Sequence, residues 1–416
     1  MTARTTPRIA IVCDNASFKM GGEAAIPLRF FKTFRALGHK PKLLTHIRVQ
    51  AELAASLTPD ELSDVVFFDD QLLQKVIFRA GKYLPSRLRE IFVYGLVSIL
   101  TERRQARYLR SAVRTGDVNI VFQPTPISPK ALSFIRVPGA PVFFGPLNGA
   151  MDYPPAFRAK DGRMSDLIVS AGRSLSEPLH RLFRARSKAA GIFVSNQRTL
   201  DALPRATRNV PTHMSFDATV DSNQWRDVAR SDPSEPNHFL YVGRLVDWKA
   251  VDFAILATHA LGGRAKLTIV GDGPERARLQ ALAADGPGEI VFAGYMPHDA
   301  LKGLYSKVCA QVLPSLREAG GNVCMEALAA GVPVIATKWG GALDVVQDGV
   351  DGILVDPVDA GHLVDGMARA MQTFMDNPEQ ARLMGARGRL RVLDAFGWDR
   401  KSRDYLAVFE DSLKNG

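Results

Sequence analysis

Short apolar runs alternate with helix-length amphipathic stretches along the whole chain, in two consecutive series, and that alternation leaves few folds open. In the first series Ile9–Cys13 reads as a buried strand, Glu23–Leu37 as an amphipathic helix closed by Gly38, and Lys42–Thr45 as the next strand. This is a βαβ unit, and its recurrence predicts an α/β protein with parallel sheets. The second series runs through Phe239–Val242, Leu267–Val270, Ile290–Phe292, Ala310–Leu313, Val334–Ala336 and Gly352–Val355. A polar, Pro-containing stretch, Asp227–Asn237, separates the two series and reads as a linker. The expected organisation is therefore a Rossmann-like domain over 1–226, a second over 237–394, and a C-terminal segment over 395–416. In that segment Phe396–Asp399 precedes an amphipathic helix over Arg400–Leu413, which is expected to return to the first domain. Two such domains are expected to face each other across a cleft, with ligands bound beyond the carboxyl ends of the strands.

A chain of 416 residues favours two or three domains, and 46% hydrophobic with 23% charged residues is the balance of a soluble globular protein. Cys13, Cys309 and Cys324 have no metal-ligand spacing and cannot all pair, which fits a reducing cytoplasm. No apolar run approaches the roughly 20 residues of a membrane-spanning helix, and Met1–Arg8 lacks a secretory core. The net charge of +10 is uneven: 32 basic against 17 acidic residues up to Val220, and 21 against 26 beyond it. A basic half suits an anionic partner surface, or it serves solubility alone.

The densest chemistry follows Ala310–Leu313. A small, flexible loop carries Glu318, Ala319, Gly320 and Gly321, and a helix through Asn322, Val323 and Glu326 ends before Gly331. Such a loop presents free backbone N–H groups at the positive end of a helix dipole. One carboxylate there can accept hydrogen bonds from a polyol and the other can grip a ribose, so the block predicts a sugar-nucleotide site. Gly243–Lys249 follows a strand, and its Arg244 and Lys249 suit a diphosphate if they converge, as a planar fork and a point charge. Two solvated surface cations would look the same.

Three other loops admit both a ligand and a plain-turn reading. Gly21-Gly22-Glu23 lies between the first strand and first helix, Val270–Glu275 joins a strand to a helix, and Phe144–Pro155 follows the apolar run Pro141–Phe144. The first is not the dinucleotide fingerprint Gly-x-Gly-x-x-Gly. The chain has no Gly-x-Ser-x-Gly, His-Glu-x-x-His or Walker loop, and Asp69-Asp70 is not an Asp-x-Asp metal pair.

Taken together, these segments resemble retaining glycosyltransferases of the GT-B fold, family four. The Gly-Gly-Glu loop (21–23), Gly-Arg-Leu…Lys (243–249), Val-Gly-Asp-Gly-Pro (270–274), Gly-Tyr-Met-Pro (294–297) and the Glu-x7-Glu block (318–326) occur in that family's order. Ser315–Gly321, Trp339-Gly340-Gly341 and Gly145–Gly149 resemble its exopolysaccharide and O-antigen (lipopolysaccharide) branches. The resemblance implies that Arg244 and Lys249 neutralise the leaving diphosphate, and that Glu318 with the Ala319–Val323 backbone holds the donor sugar. It also implies that Glu326 binds the ribose, that the segment around Met296 borders the base, and that Gly21 and Gly22 give the phosphates and the acceptor close access. Gln123, Asn148 and Gly149 fall on the acceptor side. Two positions depart from the pattern: Phe122 or Gln123 stands where many members have a His, leaving the Gln123 amide as a replacement, and Ala250 stands where Gly is usual.

The reading is thus transfer, with retention, from a nucleoside-diphosphate sugar to a lipid-linked or saccharide acceptor, without a metal or other cofactor and without nucleic acid. The alternatives are a sugar-nucleotide epimerase on the same fold, or a weakly active sugar-nucleotide-binding protein. Attachment to an anionic inner-membrane surface is expected through Arg173–Lys188, where Leu179, Leu182 and Phe183 sit among Arg181, Arg184, Arg186 and Lys188. Ile91–Leu100 with Arg103, Arg104, Arg107 and Arg110 is a second candidate. The opposing reading is that both apolar faces pack inward.

Overall fold

The computed structural model describes residues 6–71, 74, 76, 77, 79, 95–160, 177–216, 219, 220, 225 and 235–415. These divide into two compact units, one drawn from Met1–Ala150, Leu167–Asp217 and Lys401–Gly416, the other from Met151–Asp166 and Ala218–Arg400.

The first unit is built on seven parallel strands: β1 (Ile9–Val12), β2 (Lys42–His46), β3 (Val65–Phe68), β4 (Ile120–Gln123), β5 (Val142–Leu147), β6 (Gly191–Val194) and β7 (Thr212–Met214). Their order is β3-β2-β1-β4-β5-β6-β7, so the direction of winding reverses between β1 and β4. Strand residues alternate between faces. Phe122, Phe143 and Phe193 point to one face, where they meet Phe30 and Phe34 of the helix Gly22–Ala36 and Tyr405 and Phe409 of the last helix, Trp398–Asn415. The Tyr405 ring stacks on Phe193 with centroids 3.6 Å apart. Their neighbours Val121, Phe144 and Ile192 point the other way, onto Ala106, Leu109 and Ala112 of the helix Gly95–Arg114. The C-terminal helix thus closes the first unit's core, as expected. β5 runs to Leu147, past the expected end at Phe144.

The second unit has six parallel strands: β8 (His238–Val242), β9 (Lys266–Val270), β10 (Glu289–Gly294), β11 (Ala310–Leu313), β12 (Val334–Thr337) and β13 (Gly352–Val355). The order β10-β9-β8-β11-β12-β13 reverses between β8 and β11. Both expected Rossmann-like units are therefore present, in the α/β arrangement of the GT-B fold.

Met151–Asp166 differs from the expected division at 1–226. Tyr153 and Phe157 are buried in the second unit's core, and Phe157 meets Phe253 at 5.9 Å. Two anchoring aromatics in a Pro-rich stretch carry no strand or helix period, so nothing local assigns the segment to a core. Residues 227–234 of the expected linker lie outside the described residues, and residues 235–400 belong to the second unit. All three cysteines are buried and none is in a disulfide.

Candidate active site

In the second unit, three loops meet above the β8/β11 reversal. The loop after β8 is held from below by β9. Gly243 N donates to Val270 O at 3.0 Å, Leu245 N to Asp272 O at 2.9 Å, and the buried Tyr241 hydroxyl to Arg244 O at 3.1 Å. A Cβ on Gly271 would lie 1.9 Å from Gly243 O. The glycines of Val270–Glu275 thus do form a turn, and the absence of a side chain lets that turn press against the backbone that carries Arg244. Arg244 itself is exposed. Ala250 closes the loop at φ 48°, ψ 43°. This is the left-handed region, which explains why glycine would be at ease there.

The loop after β11 is tied to the first. Leu316 N and Arg317 N donate to Trp248 O at 3.0 and 3.3 Å. Lys249 Nζ pairs with Glu318 Oε2, both side chains being largely shielded from solvent. A cavity of about 370 Å³ above this pair is lined by Met151, Trp248, Lys249, Arg317, Glu318 and Ala319. Arg317 lies over the Tyr153 ring at 5.2 Å. The aromatic anchors of Met151–Asp166 therefore also bring Met151 to the cavity.

The third loop, after β12, presses on Glu318 from behind. Gly341 N donates to Glu318 O at 2.8 Å, and a Cβ on Gly341 would lie 2.6 Å from both Ala319 O and Gly321 N. Trp339 Nε1 donates to Asp152 O at 2.8 Å. The helix Asn322–Ala329 starts at Gly321, which supplies no side-chain cap. Asn322 is exposed, Val323 half-buried, and Glu326 half-buried one turn into the helix rather than at its start. The start of this helix is pinned by a residue that the apolar reading of β11 overlooked. Gln311, fully buried, accepts from the Tyr305 hydroxyl at 2.9 Å and donates to Val323 O at 3.1 Å. Burial first, then the Glu326 and Cys324 charges, push the Tyr305 hydroxyl well above its ordinary range. Met296, between β10 and the next helix, is half-buried against the core.

The remaining expected residues belong to the first unit. Gly21 caps the helix Gly22–Ala36 at φ 95°. Gln123 ends β4 and lines a cavity of about 630 Å³ above the β1/β4 reversal. Its amide is held at both ends, donating to Glu102 Oε1 at 2.8 Å and accepting from Ser133 Oγ at 2.6 Å. Glu102 also accepts from Phe134 N at 2.6 Å, and burial pushes its carboxyl up to about 7. Nothing in the helical pattern around Glu102 distinguished it from a solvated residue. Asn148 and Gly149 sit elsewhere, after β5, against Asn196 and Thr199.

Residues 223–391 match the family model described as Glycosyl transferases group 1. That match falls within the second unit. Within it lie Arg244, Lys249, Glu318 and Glu326. A curated relative, the D-inositol 3-phosphate glycosyltransferase of Acidothermus cellulolyticus, is 36% identical over 189 residues, covering 42% of this chain and 41% of that protein. The chain spans less than half the length of the curated relatives it matches. Solved structures match far more of it. Sucrose-phosphate synthase from Thermosynechococcus elongatus aligns over 99% of this chain and 100% of its own, with TM-score 0.63 and 18% identity. Anabaena Alr3699/HepE in complex with UDP and glucose aligns over 97% and 99%, with TM-score 0.61 and 15% identity. At these identities the likeness shows the fold.

The surface segments of the first unit, outside the matched glycosyl transferase domain, divide. Arg186 was expected to face lipid headgroups. It is instead buried, and its guanidinium donates to the carbonyls of Pro126, Ser128 and Pro129. Phe183 packs on Phe134 at 4.6 Å and Leu179 is half-buried. Leu182, Arg181, Arg184 and Lys188 are exposed. In the helix Gly95–Arg114 the apolar face packs inward through Val97, Ala106 and Leu109, while Arg103, Arg107 and Arg110 face solvent and Arg104 pairs with Asp69. Residues 173–176 and 91–94 of these two candidates lie outside the described residues. No described helix is long and apolar enough to cross a membrane.

Proposed function

We propose that the chain is a retaining glycosyltransferase that moves a sugar from a nucleoside-diphosphate sugar to a saccharide or lipid-linked acceptor in polysaccharide assembly. The observation that carries this reading is the Lys249–Glu318 pair at the β8/β11 reversal, within the residues that match the group 1 glycosyl transferase model; the pair ties the Glu318 loop to the loop that bears both Lys249 and Arg244. Breaking the glycosidic bond leaves negative charge on the diphosphate. Lys249 and Arg244 stabilise that charge, and preorganised cations do so without reorganisation at the moment of reaction. Glu318 takes hydrogen bonds from the donor sugar and Glu326 from the ribose. Alr3699/HepE, which shares the fold, binds UDP, and uridine is the first base to test. The transfer runs without a metal.

Purified full chain incubated with a panel of UDP-, GDP- and TDP-sugars, with and without EDTA, tests the proposal. Diphosphate release that persists in EDTA, with a product of unchanged anomeric configuration, is expected. No turnover with any donor would sink it, and strict metal dependence would remove the cation-only account. We further propose reversible attachment to anionic membrane through Leu182, Arg181, Arg184 and Lys188. Each cation near such a surface contributes on the order of 1 kcal/mol, so co-sedimentation with anionic vesicles should appear at low salt and vanish at high salt.

A further inference from the structure

The cavity above the β1/β4 reversal has a chemistry of its own. Its polar lining is Asp14, Asn15, Glu23, Ser98, Glu102, Gln105, Gln123 and Thr125, and among the described residues no Lys or Arg lines it. This acidic lining belongs to the half of the chain that carries the large basic excess. Two acceptor atoms have no partner among the described residues: Gln105 Oε1, on a wholly buried side chain, and Asn15 Oδ1. The other end of the Gln105 amide is fixed, since Nε2 donates to Cys13 O at 3.0 Å. Asp14 accepts from Ser98 Oγ at 2.6 Å, and a carboxylate offers about four acceptor sites. Among the described residues no group of three or more His, Cys, Asp and Glu is arranged to hold a metal ion. The walls also include Ile99 and Phe134, which suit the C–H face of a ring.

Arg186 acts on Glu102 electrostatically, but its guanidinium is spent on the carbonyls of Pro126, Ser128 and Pro129, so the unmet acceptors need donors from the ligand. A phosphate or carboxylate brings acceptors and like charge into a shielded site, where repulsion is strongest. We propose that this cavity seats a non-anionic polyol ring rich in hydroxyl or ammonium donors, and rejects phosphorylated and carboxylated sugars. The binding chemistry stands by itself; calling the ligand the acceptor rests on the glycosyl-transfer reading. On that reading, any phosphate of a lipid-linked acceptor stays outside the cavity and a sugar or cyclitol ring enters it. An amine on that ring would gain a charge-assisted bond to Asp14 or Glu23.

Ligand-observed NMR on the full chain at pH 7 and low salt, with glucosamine, glucose and glucose 6-phosphate as probes, tests this. Glucosamine should bind tightest and glucose 6-phosphate weakest, about tenfold or more apart, as expected for one charge-assisted hydrogen bond. Asp14→Asn, which keeps the Ser98 contact, and Gln105→Met should each weaken glucosamine by about tenfold by the same arithmetic. Equal or tighter binding of glucose 6-phosphate, no binding of any probe, or unaltered glucosamine affinity in Asp14→Asn overturns the assignment. That last arm decides even if Gln105→Met does not fold. UDP titrated into the same samples reads the second unit separately. Loss of UDP binding with the sugar order intact counts against the nucleotide-sugar reading and leaves the cavity's assignment standing.

Discussion

The two sheets reverse their strand order at the same place, between the first and fourth strand of each unit, yet the chemistry above each reversal is opposite. Above β8/β11, Lys249 and Arg317 line the cavity with Glu318 as the one carboxylate, and that carboxylate is ion-paired. Above β1/β4, among the described residues, three carboxylates and no Lys or Arg line the cavity. Strand order decides where a ligand sits, because loops diverge at the reversal and leave a crevice. The loops alone decide what that ligand is. On the proposed readings, one site suits a departing anion and the other excludes an anion.

The largest expected effect tests the cationic site. Lys249→Ala should lower kcat about a hundredfold, or about 3 kcal/mol, and Arg244→Ala should act in the same direction. Steady-state rates at saturating donor check this, and near-normal kcat in both variants would erase the contrast between the sites. Within the same site, Glu318→Ala should reduce kcat while Glu326→Ala should first raise the donor KM.

The next test concerns the acidic site. Burial holds the folded-state carboxyl of Glu102 at about 7, against 4.5 for the ordinary group. Between those values the unfolded chain loses its proton first, so this group makes stability fall as pH rises from about 4.5 to about 7 and contributes no further change above that. The loss is up to about 3 kcal/mol. Glu102→Gln should flatten that part of the profile in denaturant titrations at pH 5 and pH 8. A wild-type-minus-variant difference that is the same at both pH values would contradict the buried, raised carboxyl.

Gly341→Ala probes how rigidly the cationic site is held. The new methyl must displace the Ala319–Gly321 backbone, which should cost about 1–3 kcal/mol, the usual range for overpacking. Activity should fall beyond what the loss of folded protein explains, since Glu318 shifts too. A wild-type melting temperature with wild-type rate would show that the loop is softer than its contacts imply. The smallest effect is Ala250→Gly. It should raise stability by up to about 1 kcal/mol, as left-handed strain is relieved and partly offset by the greater freedom of glycine in the unfolded chain. Clear destabilisation would mean that the buried Ala250 methyl contributes more than its backbone costs.

Much of this was legible in the order of the residues. Ile9–Val12, Phe239–Val242 and Ala310–Leu313 are strands because consecutive apolar residues cannot be exposed cheaply. The block from Glu318 to Glu326 was expected to be a loop followed by a helix, and the helix Asn322–Ala329 follows the loop. Other features left no local trace. Gln311 sits in an apolar run and gave no sign that it would lock Tyr305 to Val323. Arg186 looked like its exposed neighbours, although it is buried under three carbonyls. Gln123 stood out as a candidate, but its engagement by Glu102 and Ser133 did not.

By itself, then, the sequence determined two parallel α/β units, their strands and the chemical vocabulary of their loops, because period and apolar content belong to neighbouring residues. Tertiary structure alone decided that Lys249 meets Glu318, that Gly341 must lack a side chain, that Tyr153 and Phe157 join the second core, and that Glu102 holds Gln123. Each of these joins positions far apart in the chain. Such contacts are set by which strands lie side by side, and strand order is a property of the closed sheet and its burial, not of any one segment.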